Sequence, residues 1–93
     1  MRMATVAVLL KIDEKLLDSA LKEALKKLES AEGEVVLDFS AVHRIDPAAL
    51  QAMEACARKA EEKAARIVLR GVNVDVYKVL KLVKLASRFS FVT

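Results

Sequence analysis

Three side chains with catalytic potential fall in the stretch FSAVHRIDPAAL, residues 39–50: Ser40, His43 and Asp46. A hydroxyl, an imidazole and a carboxylate are the parts of an acyl-transfer site. A loop at the carboxyl end of a strand is also where open α/β sheets place their sites. The spacing argues against that use. All three lie along one loop, without the strand-to-helix elbow that exposes a strained serine. Asp46 followed by Pro47 is instead a good helix start, with an N-cap carboxylate for the first amides and a proline where no amide is needed. The expectation is an exposed His43, a capping Asp46 and no enzymatic activity.

Other chemistry is sparse. One cysteine, Cys56, excludes an internal disulfide and a cysteine-based zinc site, and His43 is the only histidine. Two glycines, Gly33 and Gly71, cannot build a phosphate-cradling loop. No metal and no cofactor are expected. Asp38 sits inside a strand beside Ser40, where its carboxylate can tie down the following turn. Cys56 falls on an apolar helix stripe and reads as a small buried hydrophobe. Lys78, Lys81 and Lys84 lie near one face of a helix with Tyr77 adjacent, a possible basic docking patch or simply solvated lysines.

The elements that must position these residues follow from periodicity. Ala4–Leu10 is a short apolar run partly of β-branched residues, which predicts a buried strand. Asp13 then caps a helix to about Glu29, with Leu16, Leu17, Ala20, Leu21, Ala24, Leu25 and Leu28 on one face. Gly33 turns the chain into a strand over 35–39. The Asp46 corner opens a second helix to about Lys63, with Leu50, Met53, Cys56, Ala57 and Ala60 expected on its buried stripe. Ile67–Leu69 predicts a third strand, Asn73 caps a helix over 74–83, and 89–92 closes as a last strand. The β-α-β-α-β-α-β order predicts an α/β fold, a small mixed, mostly parallel sheet with helices packed on it by right-handed crossovers. One domain is expected over 1–93.

Composition sets the class. The 93 residues are 55% hydrophobic and 31% charged, a globular balance. The apolar run at 3–10 is too short to span a bilayer and lacks a cleavage site, so a soluble, cytoplasmic protein with no membrane insertion is expected. The net charge of +3 is unevenly placed: residues 66–93 hold six Lys/Arg and one Asp/Glu, against ten and twelve before them. That basic end suits an acidic partner. Nucleic acid is not expected, because the aromatics and dense Arg/Lys of such binders are missing.

Taken together, VVLDFSAVHRIDPAAL, IVLRGVN and VYKVLKLVKL before FSFV resemble the STAS domain, the fold of bacterial anti-sigma factor antagonists. The resemblance is good over residues 35–92 and looser over the first 34, where the family has two short strands. Asp38 and Ser40 match the family's Asp-x-Ser, Asp46 matches the Asp opening its signature, and Leu50 its Leu. Pro47 stands for a Ser, Ala48 for the Ser or Thr that a partner kinase phosphorylates, Ala49 for Gly, and Lys84 for the Gly ending the last helix.

The resemblance implies a transcription-regulating module that binds an anti-sigma factor kinase through this corner until phosphorylation breaks the complex. With Ala48 as a degenerate phosphosite, binding would be constitutive. The expected contact set is Ser40, His43, Arg44, Asp46, Pro47, Ala48, Ala49, Gln51 and Ala52. An alternative within the same fold is a small subunit that stabilises the ATP-binding component of an ABC-type lipid transporter, with Lys78, Lys81 and Lys84 supplying the contact. Nucleotide or lipid binding by the domain itself is a further alternative.

Overall fold

The computed structural model describes residues 7–30 and 33–92. Strand β1 spans Ala7–Lys11, and residues 4–6 of the predicted strand lie outside the described residues. The Asp13 carboxylate accepts the Lys15 amide at 2.9 Å and opens a 3-10 turn, Glu14–Leu16, before helix α1 proper, Leu17–Ser30. A bond to the amide two residues on closes a tighter turn than an α-helical cap does, so α1 starts later than Asp13 alone suggests. Then come β2 (Glu34–Asp38), α2 (Pro47–Lys63), β3 (Arg66–Arg70), α3 (Val74–Leu82), a 3-10 turn at Ala86–Arg88 and β4 (Ser90–Val92). The end strand is one residue shorter than predicted because the Phe89 amide closes the preceding 3-10 turn on the Ala86 carbonyl at 3.4 Å.

The strands lie in the order β1-β2-β3-β4, and every pairing among the described residues is parallel. Stepping one way across a parallel sheet with right-handed crossovers carries the intervening helices to one side. Val35, Leu37, Ile67 and Leu69 point that way and meet Leu21, Ala24 and Leu28 of α1 and Val76 and Leu80 of α3 in one core. Burial of each large side chain contributes about 1.5–3 kcal/mol.

Helix α2 contributes Ala49, Met53, Cys56, Ala57 and Ala60, the i, i+4, i+7, i+8, i+11 series of a single stripe. The stripe begins at Ala49. Leu50, expected on it, is rotated to the boundary and only half-buried. Four of the five residues are small, which lets α2 lie close to α1, and the Cys56 thiol donates to the Leu21 carbonyl at 3.5 Å across that contact. Burial pushes the thiol up to about 11.

Two helix ends use left-handed backbone without glycine. Ala64, the C-cap of α2, has φ 56°, and Lys84, after α3, has φ 64°. Gly71, at φ +72°, meets a different demand. A Cβ there would lie 3.0 Å from the Ser40 Cβ and 3.2 Å from its Cα, so the β3-α3 turn presses directly against the β2-α2 corner.

Candidate functional site

The corner between β2 and α2 is held from several directions. At its start the Asp38 carboxylate accepts the Ser40 amide at 2.9 Å, and the Val42 amide returns to the Phe39 carbonyl at 2.9 Å. The Ser40 amide and hydroxyl, helped by the nearby Lys11 and Arg70 charges, hold the Asp38 carboxyl below its ordinary range against the opposing effect of burial. At its end the Asp46 carboxylate accepts the Ala49 amide at 2.8 Å, the N-cap bond that starts α2 with Pro47 in the first turn.

Two residues distant in sequence hold the middle. The Glu14 carboxylate accepts the backbone amides of both His43 and Arg44, the latter at 3.1 Å. Those amides, chiefly that of His43, lower the Glu14 carboxyl below its ordinary value. Asn73 accepts the Val76 amide at 2.7 Å as the N-cap of α3, while its Nδ2 donates to the His43 carbonyl at 3.4 Å. The capping role of Asn73 was legible in the sequence. Its reach to the corner, and the whole role of Glu14, were not, because neither leaves a local pattern about thirty residues away.

The three groups with catalytic potential are not assembled into a relay. Asp46 is committed to the Ala49 amide. His43, with a side chain 74% exposed, has its Nδ1 3.5 Å from a Glu14 oxygen and turns toward that carboxylate. Ser40 is exposed on the opposite end of the loop. Glycine-rich phosphate geometry is lacking too, and among the described residues no three His, Cys, Asp or Glu side chains converge as metal ligands would.

The surface offered by the corner consists of Ser40, His43, Arg44, Asp46, Pro47, Ala48 and Gln51, all exposed, with Ala52 half-buried beside them. Ala49 is corrected out of the expected contact set: at 2% exposure its methyl group fills the core, where the α2 stripe begins. The Ala49 methyl group therefore adds packing inside the domain and does not hold a partner off. Ala48 occupies the first turn of α2, which contains no acidic residue.

Below the corner, His43, Ile45, Asp75 and Val79 line a shallow depression of about 280 Å³ that runs onto α3. A second, of about 400 Å³, separates Gln51 and Glu54 of α2 from Lys84 and Arg88. Arg88 spans this side by a two-pronged bond to Glu61, both arms 2.9 Å. Lys78, Lys81 and Lys84 are exposed. Tyr77 stands edge-on to Phe91 with ring centroids 5.1 Å apart, which fastens α3 to β4. No helix among the described residues is long and apolar enough to cross a membrane.

A family model described as "Mlab, STAS domain" matches residues 2–92. The chain belongs to the STAS family. Two solved structures share the STAS fold with it. One is a sulfate transporter family protein from Wolinella succinogenes, 18% identical, with a TM-score of 0.75 over 96% of this chain and 80% of that one. The other is a candidate anti-sigma factor antagonist from Thermotoga maritima, also 18% identical at a TM-score of 0.75, over 97% of this chain and 81% of that one. Among curated proteins, none matches the sequence. STAS domains are regulatory modules that engage protein partners.

Proposed function

We propose that this STAS domain is a non-enzymatic docking module that binds its protein partner through the β2-α2 corner, in the manner of an anti-sigma factor antagonist, and does so without a phosphorylation switch. The observation that carries the reading is Ala48: it is exposed on the first turn of α2, where the resemblance places a phosphoacceptor, and it has no hydroxyl. A phosphate at that place would add about −1.5 to −2 charges to a contact surface. With a methyl group there, nothing at position 48 turns the contact off. The surface consists of Ser40, His43, Arg44, Asp46, Pro47, Ala48, Gln51 and the half-buried Ala52. Its backbone is held by Asp38, Glu14 and Asn73, so it is preformed for binding.

A substitution separates binding from folding here. The first turn of α2 has no acidic side chain, so Ala48→Asp places a carboxylate at the positive end of the helix dipole and leaves stability equal or slightly raised. The same charge mimics a phosphorylated residue in the contact. Ala48→Asp should keep the melting temperature and lose capture of the native partner, identified by mass spectrometry. Retained capture with an intact fold would place the interface elsewhere.

A second reading is that the domain stabilises the ATP-binding component of a transporter. It is favoured by the matched family's description and by the transporter title of one fold relative. It needs no phosphorylation cycle, and the exposed Lys78, Lys81 and Lys84 on and after α3 would supply the contact. Replacing these three lysines by Glu should abolish co-purification with an ATP-binding subunit under this reading, whereas under the first the native partner bound at the corner is still captured.

A further inference from the structure

All-parallel sheets are ordinarily covered on both faces. Here the consecutive strand order sends the helices to one face, and among the described residues none lies over the other. Val68 shows the division: it is a buried strand residue yet takes no part in the core that gathers Val35, Leu37, Ile67 and Leu69. On the uncovered face the parallel register sets Leu9 beside Val36 and Val36 beside Val68. Leu9 is 59% exposed. An apolar band of Leu9, Val36 and Val68 therefore crosses the middle of three strands and ends at Ser90 of β4.

Charges flank that band and are sorted by strand. At one end Glu34 of β2 is level with Arg66 of β3, and at the other Asp38 is level with Arg70. Thus β2 presents acid, valine, acid, and β3 presents arginine, valine, arginine. A two-fold axis running close to the strand direction between β2 and β3 lays β2 of one copy over β3 of another. Along these two central strands each level then finds its complement, Glu34 over the second copy's Arg66, Val36 over its Val68 and Asp38 over its Arg70, while the outer strands set Leu9 over Ser90 and Lys11 over Val92. This is the self-complementary patch that an isologous contact needs. Aligned packing of twisted sheets tolerates the required geometry.

We infer that the uncovered sheet face pairs with the same face of a second copy of this chain. Four strands at about 4.8 Å spacing and five residues at about 3.3 Å give a flat area of roughly 300 Å² per copy. That falls short of the about 800 Å² per partner of a standard stable interface. The dimer is accordingly weak, concentration-dependent and sensitive to salt. The corner lies at the end of the strands and not on this face, so Ala48→Asp leaves the dimer unchanged.

Sedimentation equilibrium of the full chain from micromolar to millimolar concentration tests the inference. The expected result is a monomer–dimer equilibrium. Glu34→Arg alone, or Arg66→Glu alone, puts like charges opposite each other twice per dimer and raises the dissociation constant by about tenfold or more. Mixing the two single variants in equal amounts restores opposite charges at both contacts and brings association back, as does the double variant. An ion pair between Glu34 and Arg66 within one chain cannot be rebuilt by mixing, so this arm isolates the contact between copies. Thermal melts of each variant establish that it is folded. A monomer throughout the range, association indifferent to both single changes, or no recovery on mixing would each overturn the inference.

Discussion

The contact between Glu14 and the corner has a consequence in acid. Its carboxyl is lowered by bonds from the His43 and Arg44 amides, and Asp38 is lowered by Ser40. A folded-state value below the unfolded one means that the stabilisation is complete above the ordinary carboxylate range. It is lost as pH falls through the lowered values, because the unfolded chain takes up protons first. Protection of the His43 and Arg44 amides, measured as exchange relative to the intrinsic rate at each pH, should therefore fall selectively as the pH drops below the ordinary carboxylate range. Glu14→Gln should remove much of that pH dependence and raise exchange at these two amides at neutral pH, with the α2 amides unaffected. A uniform loss of protection throughout the domain would show that Glu14 supports global stability and not the corner.

At the scale of elements, the turns decide how the helices end. Lys84 occupies a left-handed position at φ 64° where a side chain is costly. Lys84→Gly is expected to stabilise the domain by about 0.5–1 kcal/mol, read from the urea midpoint, since relief of backbone strain outweighs the added freedom of the unfolded chain. Lys84→Ala keeps the strain and should give no such gain. Gly71→Ala runs the other way. Its methyl group meets the Ser40 Cβ at 3.0 Å in a backbone conformation that disfavours any side chain, and a loss of about 1–3 kcal/mol is expected. The displaced Ser40 should also weaken partner capture by more than the lost stability explains. That joint readout links the β3-α3 turn to the docking corner.

At the scale of the whole molecule, α1 and α2 close over a sheet with a core built largely from alanine, leucine and valine. Cys56 lies inside that core at 1% exposure, with its thiol raised to about 11. Both effects suppress reaction with alkylating agents at neutral pH. Labelling of Cys56 should thus be negligible in the native protein and should track global unfolding through a urea titration. Labelling well below the unfolding midpoint would reveal a separate opening of the α1-α2 contact.

Local pattern was enough for the order of elements, the three N-caps at Asp13, Asp46 and Asn73, and the motif residues that resemble the STAS signature. These depend on neighbours within a turn or two, and the chain states them directly. It also states that position 48, where the resemblance places a phosphoacceptor, carries no hydroxyl. On α2 the sequence placed Met53, Cys56, Ala57 and Ala60 on the buried stripe as observed and missed only its first member: Ala49 and Leu50 are both apolar, and only the seating of α2 on α1 and the sheet chooses which enters the core. The hold of Glu14 and Asn73 on the corner, the pressure of Gly71 against Ser40, and the matching of Glu34 to Arg66 and Asp38 to Arg70 arise only in the folded chain. Each joins residues about thirty positions apart, where strand register and crossover direction, and no local periodicity, determine what meets what.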